Sequence, residues 1–419
     1  MDTAKQIRSW VMYDWANSAF ATTIMAAVMP IYFIDVAGGS DGSWSFTQTA
    51  SAIAIALIAP LLGAIADQSG RKVLLLRVFS IIGALASASL AYVGTGDMWV
   101  ASVLVVIGMV GFATGNTFYD SILNDITTPE QREKVSARGF AMGYLGGGLL
   151  LAVNLGMILG WEELGLPDKT AASQISFVMV GIWWFVFSLP LFRNVKDVPL
   201  AKAGGNVIGS LKSGASRLKV TFLQIKQYPE LLKFMFACWF FFDGINTIII
   251  MAASYGKTIG IENEDLIQAL LITQFVGFPA TLLFGRMAEK IGSKKMLYGA
   301  LVTYLMIVIL GYFMTTSLHF LLLACLVGLV QGGSQATARA IFSKIIPQGR
   351  ITEFNGFLSS TTRLFSFMGP LLFGIVKLFS DSSRLALLAV AMFFLVGIVL
   401  LKFVNLTKAE EQAARLIRS

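Results

Sequence analysis

Long apolar runs constrain this chain more than any other feature. A membrane helix needs about 20 consecutive apolar residues, and the 419-residue sequence contains twelve runs of that kind. The runs are 10–35, 47–66, 73–94, 99–122, 136–160, 173–192, 231–255, 264–287, 294–315, 318–342, 354–379 and 384–404. Because they are continuously apolar rather than alternating, they predict helices and argue against a transmembrane β-barrel.

The composition supports the same class of protein. Only 13% of the residues are charged and 56% are hydrophobic, whereas about 25% of a soluble domain is charged. A charge at the bilayer centre costs roughly 2.5–3.5 kcal/mol on the insertion scale, so few are tolerated there. These figures exclude a disordered chain, a nucleic-acid-binding domain and an ordinary cytosolic enzyme. We therefore predict an all-α membrane protein with twelve transmembrane helices.

The positive charges predict the orientation of these helices. The loops predicted on the side of the two termini carry most of the 32 Lys and Arg residues, whereas the opposite side carries only Lys169, Lys257, Lys377 and Arg384. Cytoplasmic loops are enriched in Lys and Arg. We therefore expect a multi-pass protein of a bacterial inner membrane with both termini in the cytoplasm.

The sequence contains none of the motifs that would indicate an enzyme, a metal site or a cofactor. Its two cysteines, Cys238 and Cys325, lie in apolar runs, and His319 is its one histidine. No H-E-x-x-H, P-loop, G-x-S-x-G or C-x-x-C motif is present. We predict no enzyme activity, no metal and no cofactor, and a process driven by a gradient rather than by ATP.

One long loop divides the chain into two halves. We predict an N-terminal bundle over 1–192, a basic linker over 193–230, a C-terminal bundle over 231–404 and a cytoplasmic tail over 405–419. Apolar and basic residues alternate in the linker, which fits either an amphipathic helix on the membrane surface or a solvated basic segment.

The two halves repeat each other. Asp14 and Asn17 form a D-x-x-N pattern in span one, and Asp243 and Asn246 form the same pattern in span seven. The loops after spans two and eight share glycine, acid, glycine and base in register. An even number of spans per half gives both halves the same orientation, and such repeats bind substrate between them near the midplane.

The loop after span two, with the sequence GAIADQSGRK, resembles the G-x-x-x-D-x-x-G-R-K loop of the major facilitator superfamily. This resemblance implies two six-helix bundles, and it implies that Asp67 faces the positive end of a neighbouring helix and latches the halves together. Gln68 departs from the family pattern, which has a base there. The latch residues implied in the two repeats are Gly63, Asp67, Gly70, Arg71, Lys72, Gly285, Glu289 and Gly292.

Residues 13–20 of span one, YDWANSAF, resemble the opening signature of the vacuole effluxer family. That family includes fungal vacuolar amino-acid exporters. The resemblance implies efflux of a solute, with amino acids as the leading class, by rocking of the two bundles about a midplane site.

Carboxylates inside the spans are candidates for the transport pathway. Asp243 lies near the middle of span seven, where a carboxylate is expensive and by default functional. We predict that Asp243 and Asn246 take part in transport or coupling, with a role in holding helices together as the alternative. Asp14 and Asn17 share one helix face, and pairing or helix capping is the alternative for Asp14.

Two polar stripes extend this pathway. Asn116, Asp120 and Asn124 recur every four residues in span four, as do Gln331, Gln335 and Arg339 in span ten. In the superfamily that the chain resembles, spans one, four, seven and ten line the central cavity. We expect either that Asp120 and Arg339 meet as an inner gate or that each pairs within its own half. Tyr119 is a candidate either for the core or for the cavity.

Arg363, in span eleven, completes the candidate site. Its planar guanidinium suits a carboxylate, so it either holds the carboxylate of a substrate or pairs with Asp243. We predict a secondary transporter of a small polar solute, such as an amino acid, with a proton as the natural coupling ion and uncoupled diffusion as the alternative. A drug or lipophile exporter of the same fold, a lipid scramblase and a non-transporting receptor remain as alternative functions.

Overall fold

The computed structural model describes residues 3–39, 41–197, 227–261, 263–347, 351–366, 368–380 and 382–415, with only the backbone described for some helical residues, Arg363 among them. Every regular element in these ranges is helical. The α-helices are α1 (Thr3–Ala19), α2 (Met29–Asp35), α3 (Asp41–Ser69), α4 (Lys72–Ser89), α5 (Met98–Ile126), α6 (Arg132–Leu159), α7 (Lys169–Asn194), α8 (Pro229–Thr258), α9 (Asn263–Ile291), α10 (Ser293–Tyr312), α11 (Ser317–Ile345), α12 (Ile351–Phe365), α13 (Met368–Ser380), α14 (Ser383–Ala389), α15 (Ala391–Lys402) and α16 (Leu406–Arg415).

The predicted spans are present. Within the described ranges, 11 helical segments are long and apolar enough to cross a membrane, and they correspond to predicted spans one to ten and span twelve. Span eleven is a pair of shorter helices, because α12 ends at Phe365, Ser366 adopts a turn and α13 begins at Met368. The fold is therefore that of twelve membrane segments, with span eleven interrupted.

Span one also departs from a uniform α-helix. Between α1 and α2 the chain forms a π-helix over Phe20–Val28, and Pro30 lies in the first turn of α2. Proline is tolerated there because the first amides of a helix have no partner within it. Irregular segments of this kind are rare and occur often at functional sites.

The described helices group into two compact units, and each unit combines segments from several parts of the chain. Unit 1 draws on Met1–Thr127, Met142–Leu218 and Thr352–Ser360, and unit 2 on Thr128–Ala141, Lys219–Ile351 and Thr361–Ser419. The bundle boundaries predicted at 192 and 231 stay a prediction.

Corresponding helices pack in the same pairs within each unit. In unit 1, α5 packs against α3 and α4, and α7 packs against α1 and α4. In unit 2, α11 packs against α9 and α10, and α15 packs against α8 and α10. In unit 1, span four therefore packs against spans two and three, and span six against spans one and three. In unit 2, span ten packs against spans eight and nine, and span twelve against spans seven and nine. The sequence repeat is thus also a repeat of helix packing.

Glycines let the helices of unit 1 approach closely. A β-carbon at Gly111 would lie 2.8 Å from the backbone of Gly83, and one at Gly83 would overlap the ring of Trp184. One at Gly181 would lie 2.6 Å from the carbonyl oxygen of Ala84. Small residues at helix contacts are typical of membrane proteins, where close packing rather than hydrophobic burial holds helices together.

The outer helix faces are apolar. Leu57 is 70% exposed and Phe379 is 90% exposed, and both lie on membrane segments. Large exposed apolar side chains along whole helices are unfavourable in water and favourable in lipid. The chain is a multi-pass integral membrane protein.

The tail after span twelve forms α16, which the sequence analysis did not predict. Asn405 caps this helix through Oδ1, which accepts the N–H of Lys408 at 3.1 Å, and Glu230 of α8 accepts the N–H of Asn405 at 2.8 Å. The amphipathic helix considered for the linker falls on 198–226, which lies outside the described residues.

Candidate functional site

In unit 1, the candidate residues of span one bond to those of span four. The hydroxyl of Tyr119 donates to Oδ2 of Asp14 at 3.2 Å, and Nδ2 of Asn17 donates to Oδ1 of Asn116 at 2.6 Å. Asp14 and Asn17 are both buried. Two hydrogen bonds therefore cross from α1 to α5, whereas sequence spacing placed Asp14 and Asn17 only on a common face of their own helix.

Packing and hydrogen bonding position Tyr119 next to Asp14. Its ring stacks on Trp10 with the ring centroids 4.1 Å apart, and Nε1 of Trp10 donates to the carbonyl oxygen of Tyr119 at 2.8 Å. Gly143 of α6 lies on the other side, where a β-carbon would come within 3.3 Å of Oδ1 of Asp14 and 2.6 Å of Oγ of Ser18. The carboxylate of Asp14 is thus fixed by packing as well as by hydrogen bonding.

The π-helix of span one begins directly after this cluster. Thr22 donates to the carbonyl oxygen of Gly147 at 3.2 Å and so ties the π-helix to α6. Thr23 is fully buried, and its hydroxyl has no hydrogen-bond partner among the described residues. The sequence signal that marks this irregularity is Pro30, which hydropathy alone passes over.

In unit 2, Asp243 lies against the start of α13. The side chain is 2% exposed, and its Oδ2 accepts the N–H of Gly369 at 2.8 Å. Oδ1 has no hydrogen-bond partner among the described residues. The pairing predicted between Asp243 and Arg363 involves a side chain outside the described residues, so it stays a prediction.

The polar residues predicted to form stripes are half-buried, and most of their neighbours in the sequence are buried. In α5, Asn116 and Asp120 are half-buried, whereas Thr117, Phe118 and Tyr119 are buried. The polar positions of this face are therefore more accessible than their neighbours in the sequence.

The same pattern recurs in unit 2. Gln331, Gln335 and Arg339 of α11 and Asn246 of α8 are half-buried. The guanidinium carbon of Arg339 lies 3.9 Å from the ring centroid of Phe140, which is a cation–π contact. The gate predicted between Asp120 and Arg339 stays a prediction.

The first latch loop is a tight turn between α3 and α4. Gly70 has φ +67 and its N–H bonds to the carbonyl oxygen of Ala66 at 2.8 Å, which ends α3. Lys72 pairs with Asp125 at 2.9 Å. Asp67 is buried and Gly63 is buried, and Arg71 precedes the first turn of α4.

The second latch loop has the same turn and a different environment. Gly292 has φ +101 and its N–H bonds to the carbonyl oxygen of Ala288. Glu289, the counterpart of Asp67, is exposed. A β-carbon at Gly285 would overlap that of Ala137. The two latch loops therefore match in backbone and differ in the burial of their acids.

Three polar side chains that sequence reasoning missed meet beside the second latch loop, and we call them the polar lock: Glu133, Ser293 and Lys344. Oε1 of Glu133 accepts Nζ of Lys344 at 2.6 Å and also the hydroxyl of Ser293. The Glu133 side chain is 5% exposed. A buried carboxylate thus joins the first turn of α6 to the start of α10 and the end of α11.

Neighbouring hydrogen bonds extend the polar lock. The guanidinium of Arg132 donates to the carbonyl oxygen of Ser343 at 3.0 Å. The hydroxyl of Ser136 donates to the carbonyl oxygen of Ala336 at 2.9 Å. All these residues belong to unit 2, although α6 precedes the linker. The signal in the sequence was the recurrence of Pro129 and Arg132 after span four and of Pro347 and Arg350 after span ten, which marks corresponding ends of the repeats.

The described residues contain no cluster of three His, Cys, Asp or Glu side chains that would hold a metal ion. The buried carboxylates Asp14, Asp243 and Glu133 each take hydrogen bonds from protein donors instead.

The sequence matches a family model over most of its length. The model described as "Vacuole effluxer Atg22 like" matches residues 34–130 and 124–414. The MFS-type transporter YxiO of Bacillus subtilis is 36% identical over 409 residues, which are 96% of this chain and 95% of YxiO. Autophagy-related protein 22 of Eremothecium gossypii is 23% identical, over 81% of this chain and 72% of its own length.

Solved structures of major facilitator superfamily transporters share the fold. FucP in the outward conformation has a TM-score of 0.70 at 12% identity and covers 97% of this chain and 99% of its own. The proton:xylose symporter XylE has a TM-score of 0.68 at 15% identity, over 96% of this chain and 95% of its own. At these identities the similarity concerns the fold alone.

Proposed function

This chain belongs to the vacuole effluxer family of major facilitator transporters, and on that premise we propose that it exports a small polar solute, an amino acid or a similar zwitterion, by alternating access. It is a transporter rather than an enzyme. Motion of two bundles about a midplane site is the general mechanism of transporters built from repeats.

The observation that carries this proposal is the pair of buried carboxylates on the first helix of each repeat. Asp14 and Asp243 are 8% and 2% exposed, in a membrane where unneeded charge is costly. Amides stand one turn further along, at Asn17 and Asn246. Carboxylates bind an ammonium group and amides bind either end of a zwitterion, and Arg363 is the proposed partner of a substrate carboxylate.

The family and the charge distribution support the proposed direction and location. The family description names effluxers, and the relative with 36% identity comes from a bacterium. The concentration of basic residues in the loops on the side of the termini supports a cytoplasmic location for both termini by the positive-inside rule. We therefore propose export across a bacterial inner membrane, driven by an ion gradient.

Counterflow in proteoliposomes tests this proposal. Purified protein is reconstituted with a panel of amino acids, sugars and cationic drugs inside, and exchange of each labelled solute is measured with and without a proton gradient. We expect exchange of at least one amino acid. Exchange of drugs alone would replace the proposal with a drug exporter, and movement of lipid without any solute would replace it with a scramblase.

Variants at the two repeats show whether exchange uses the proposed residues. Asn17→Leu and Asn246→Leu keep the branching and the number of side-chain heavy atoms and remove the amides. We expect each to reduce exchange at least tenfold, the loss of one or two hydrogen bonds. Glu162→Gln is a control for substitution away from the proposed site, because Glu162 is an exposed residue of the loop between α6 and α7. Wild-type exchange in both leucine variants would contradict the assignment.

A further inference from the structure

We propose that Asp243 binds the coupling proton and that this proton controls the cap on α13, the second half of span eleven. The inference rests on the proposed transport function and names the coupling site within it. It is carried by one juxtaposition: a buried carboxylate of α8 bonded to the N-terminus of a helix that begins inside a membrane span.

The interruption of span eleven creates a need for a cap. The first four N–H groups of a helix have no partner within it, and lipid offers no water to satisfy them. Oδ2 of Asp243 accepts the N–H of Gly369, the second residue of α13, at 2.8 Å. A carboxylate is also the favourable charge at a helix N-terminus. α8 therefore supplies the cap of α13.

The fit around Gly369 places the second carboxylate oxygen in a confined position. A β-carbon at Gly369 would overlap the hydroxyl of Thr247 and lie 3.2 Å from Oδ1 of Asp243. Only glycine lets α13 begin this close to α8. Oδ1 is buried and takes no hydrogen bond from the described residues, so the charged form is only half satisfied. A proton on Oδ1 removes that buried charge.

No described cation faces Asp243. Among the helices that pack against α8, α15 carries Lys402 at its far end and α13 carries Lys377 two turns beyond Gly369. Arg339 of α11 contacts Phe140 instead. α8 itself carries Glu230 and Lys233, which pair with each other in its first turns, and Lys257 in its last turn. The other charges are those of α16 and of the ends of α9 and α11, and Arg363 on α12, whose side chain lies outside the described residues.

The corresponding carboxylate of unit 1 has a different environment. Oδ2 of Asp14 accepts a side-chain hydroxyl, that of Tyr119, whereas Asp243 accepts a backbone amide at a helix start. Loss of charge at Asp243 therefore acts on the start of a helix, whereas the bond from Tyr119 to Asp14 joins two side chains. This difference selects Asp243 as the residue through which proton binding moves the backbone.

The cycle follows from the charge of the cap. The charged carboxylate accepts the Gly369 amide strongly and holds α13 against α8. Proton uptake at Oδ1 gives a neutral carboxyl group, which is a weaker acceptor and has no charge to interact with the helix dipole. α13 is then released, and proton loss on the other side of the membrane restores the cap.

The first test follows the proton itself. The purified, lipid-reconstituted protein is titrated while infrared spectroscopy monitors the carbonyl band of protonated carboxylic acids. We expect the band of a buried carboxyl group to appear on acidification in the wild type and in the exposed-site control Glu162→Gln, and to be lost in Asp243→Asn. An unchanged band in Asp243→Asn would overturn the proposal.

The second test follows the cap. Ser366→Cys, at the turn between α12 and α13, is introduced after Cys238 and Cys325 are replaced, and its rate of maleimide labelling is measured across the titration. We expect about a tenfold pH-dependent change, the effect of an ordinary helix cap, which disappears in Asp243→Asn. In Asp243→Glu, which still titrates and displaces the cap, we expect the infrared band without the change in labelling. Labelling that depends on pH equally in all three proteins would overturn the proposal.

Neither test uses a solute. Their failure together with amino-acid exchange in proteoliposomes would remove the proton site and leave the transport function. If both tests succeed and no solute is exchanged, the proton site at Asp243 stands and the proposed transport of amino acids falls.

Discussion

Replacing Lys344 with methionine removes the cation of the polar lock and keeps most of the apolar stem of the side chain. Glu133 then remains nearly buried, with the hydroxyl of Ser293 as its neighbour in the lock. We expect the contact between the first turns of α6 and the end of α11 to open more often.

The structure sets the size of the effect. Breaking a buried ion pair by removing one partner costs about 3–5 kcal/mol when both groups are buried. The Lys344 side chain is 21% exposed, and Ser293 still donates to Glu133, so we expect about 2 kcal/mol, close to a 30-fold shift in the equilibrium.

Cysteine labelling at Ser136 measures that shift. Ser136 is fully buried and its hydroxyl bonds to the carbonyl oxygen of Ala336. In a background without other cysteines, Ser136→Cys should react with a water-soluble maleimide about 30 times faster when Lys344→Met is present. Adding Glu133→Gln removes the stranded charge and should restore most of the protection.

The pair Lys72–Asp125 provides the control. Its side chains are 14% and 44% exposed, and a surface pair of this kind contributes at most about 1 kcal/mol. Lys72→Met, alone or together with Asp125→Asn, should leave the labelling rate of Ser136→Cys unchanged. Labelling of Lys344→Met at the wild-type rate would show that the ion pair does not hold this contact closed. Opening of the double variant as often as the single one would show that the stranded charge of Glu133 is not the cause.

Three further predictions concern the candidate site. Gly369→Ala should lower the thermal unfolding temperature of the protein because the new methyl group overlaps Thr247, and Thr247→Ala should restore most of the loss; no rescue would contradict the fit described here. The hydrogen bond between Asn17 and Asn116 should give a coupling of about 1 kcal/mol in a double-mutant cycle of leucine substitutions, measured by unfolding; additive effects would count against it. Arg363→Ala should abolish solute exchange and leave the unfolding temperature unchanged, and persistent exchange would exclude its role.

Hydropathy and charge were sufficient to predict the membrane segments but not their irregularities. Averaging over about 20 residues finds a span, and the same averaging conceals a break of one or two residues within it. Local signals were present, because Pro30 and Pro370 each stand in the first turn of a new helix. Proline is also tolerated within membrane helices, so such a signal does not by itself separate a kink from a new start.

The candidate site was predictable in part for a related physical reason. Periodicity assigns a residue to a face of its own helix, and on that basis it grouped Asp14 with Asn17 and the polar residues of spans four and ten into stripes. It does not specify which helix that face meets, so the bonds from Asp14 to Tyr119 and from Asp243 to Gly369 required the structure. The polar lock was missed because Glu133, Ser293 and Lys344 come from three separate segments that only packing brings together.

The chemical differences between the repeats matter as much as their common packing. A solute with an ammonium group at one end and a carboxylate at the other needs different groups to bind its two ends, which two identical repeats would not provide. Here the repeats retain the D-x-x-N pattern and its helix pairs, while Asp14 is bonded to a side chain and Asp243 to a backbone amide. The latch acids diverge in the same way, since Asp67 is buried and Glu289 is exposed. The two repeats therefore share a fold and differ in the chemistry of corresponding positions. A substitution at Asp14 should affect its bond to the side chain of Tyr119, whereas a substitution at Asp243 should affect the start of α13.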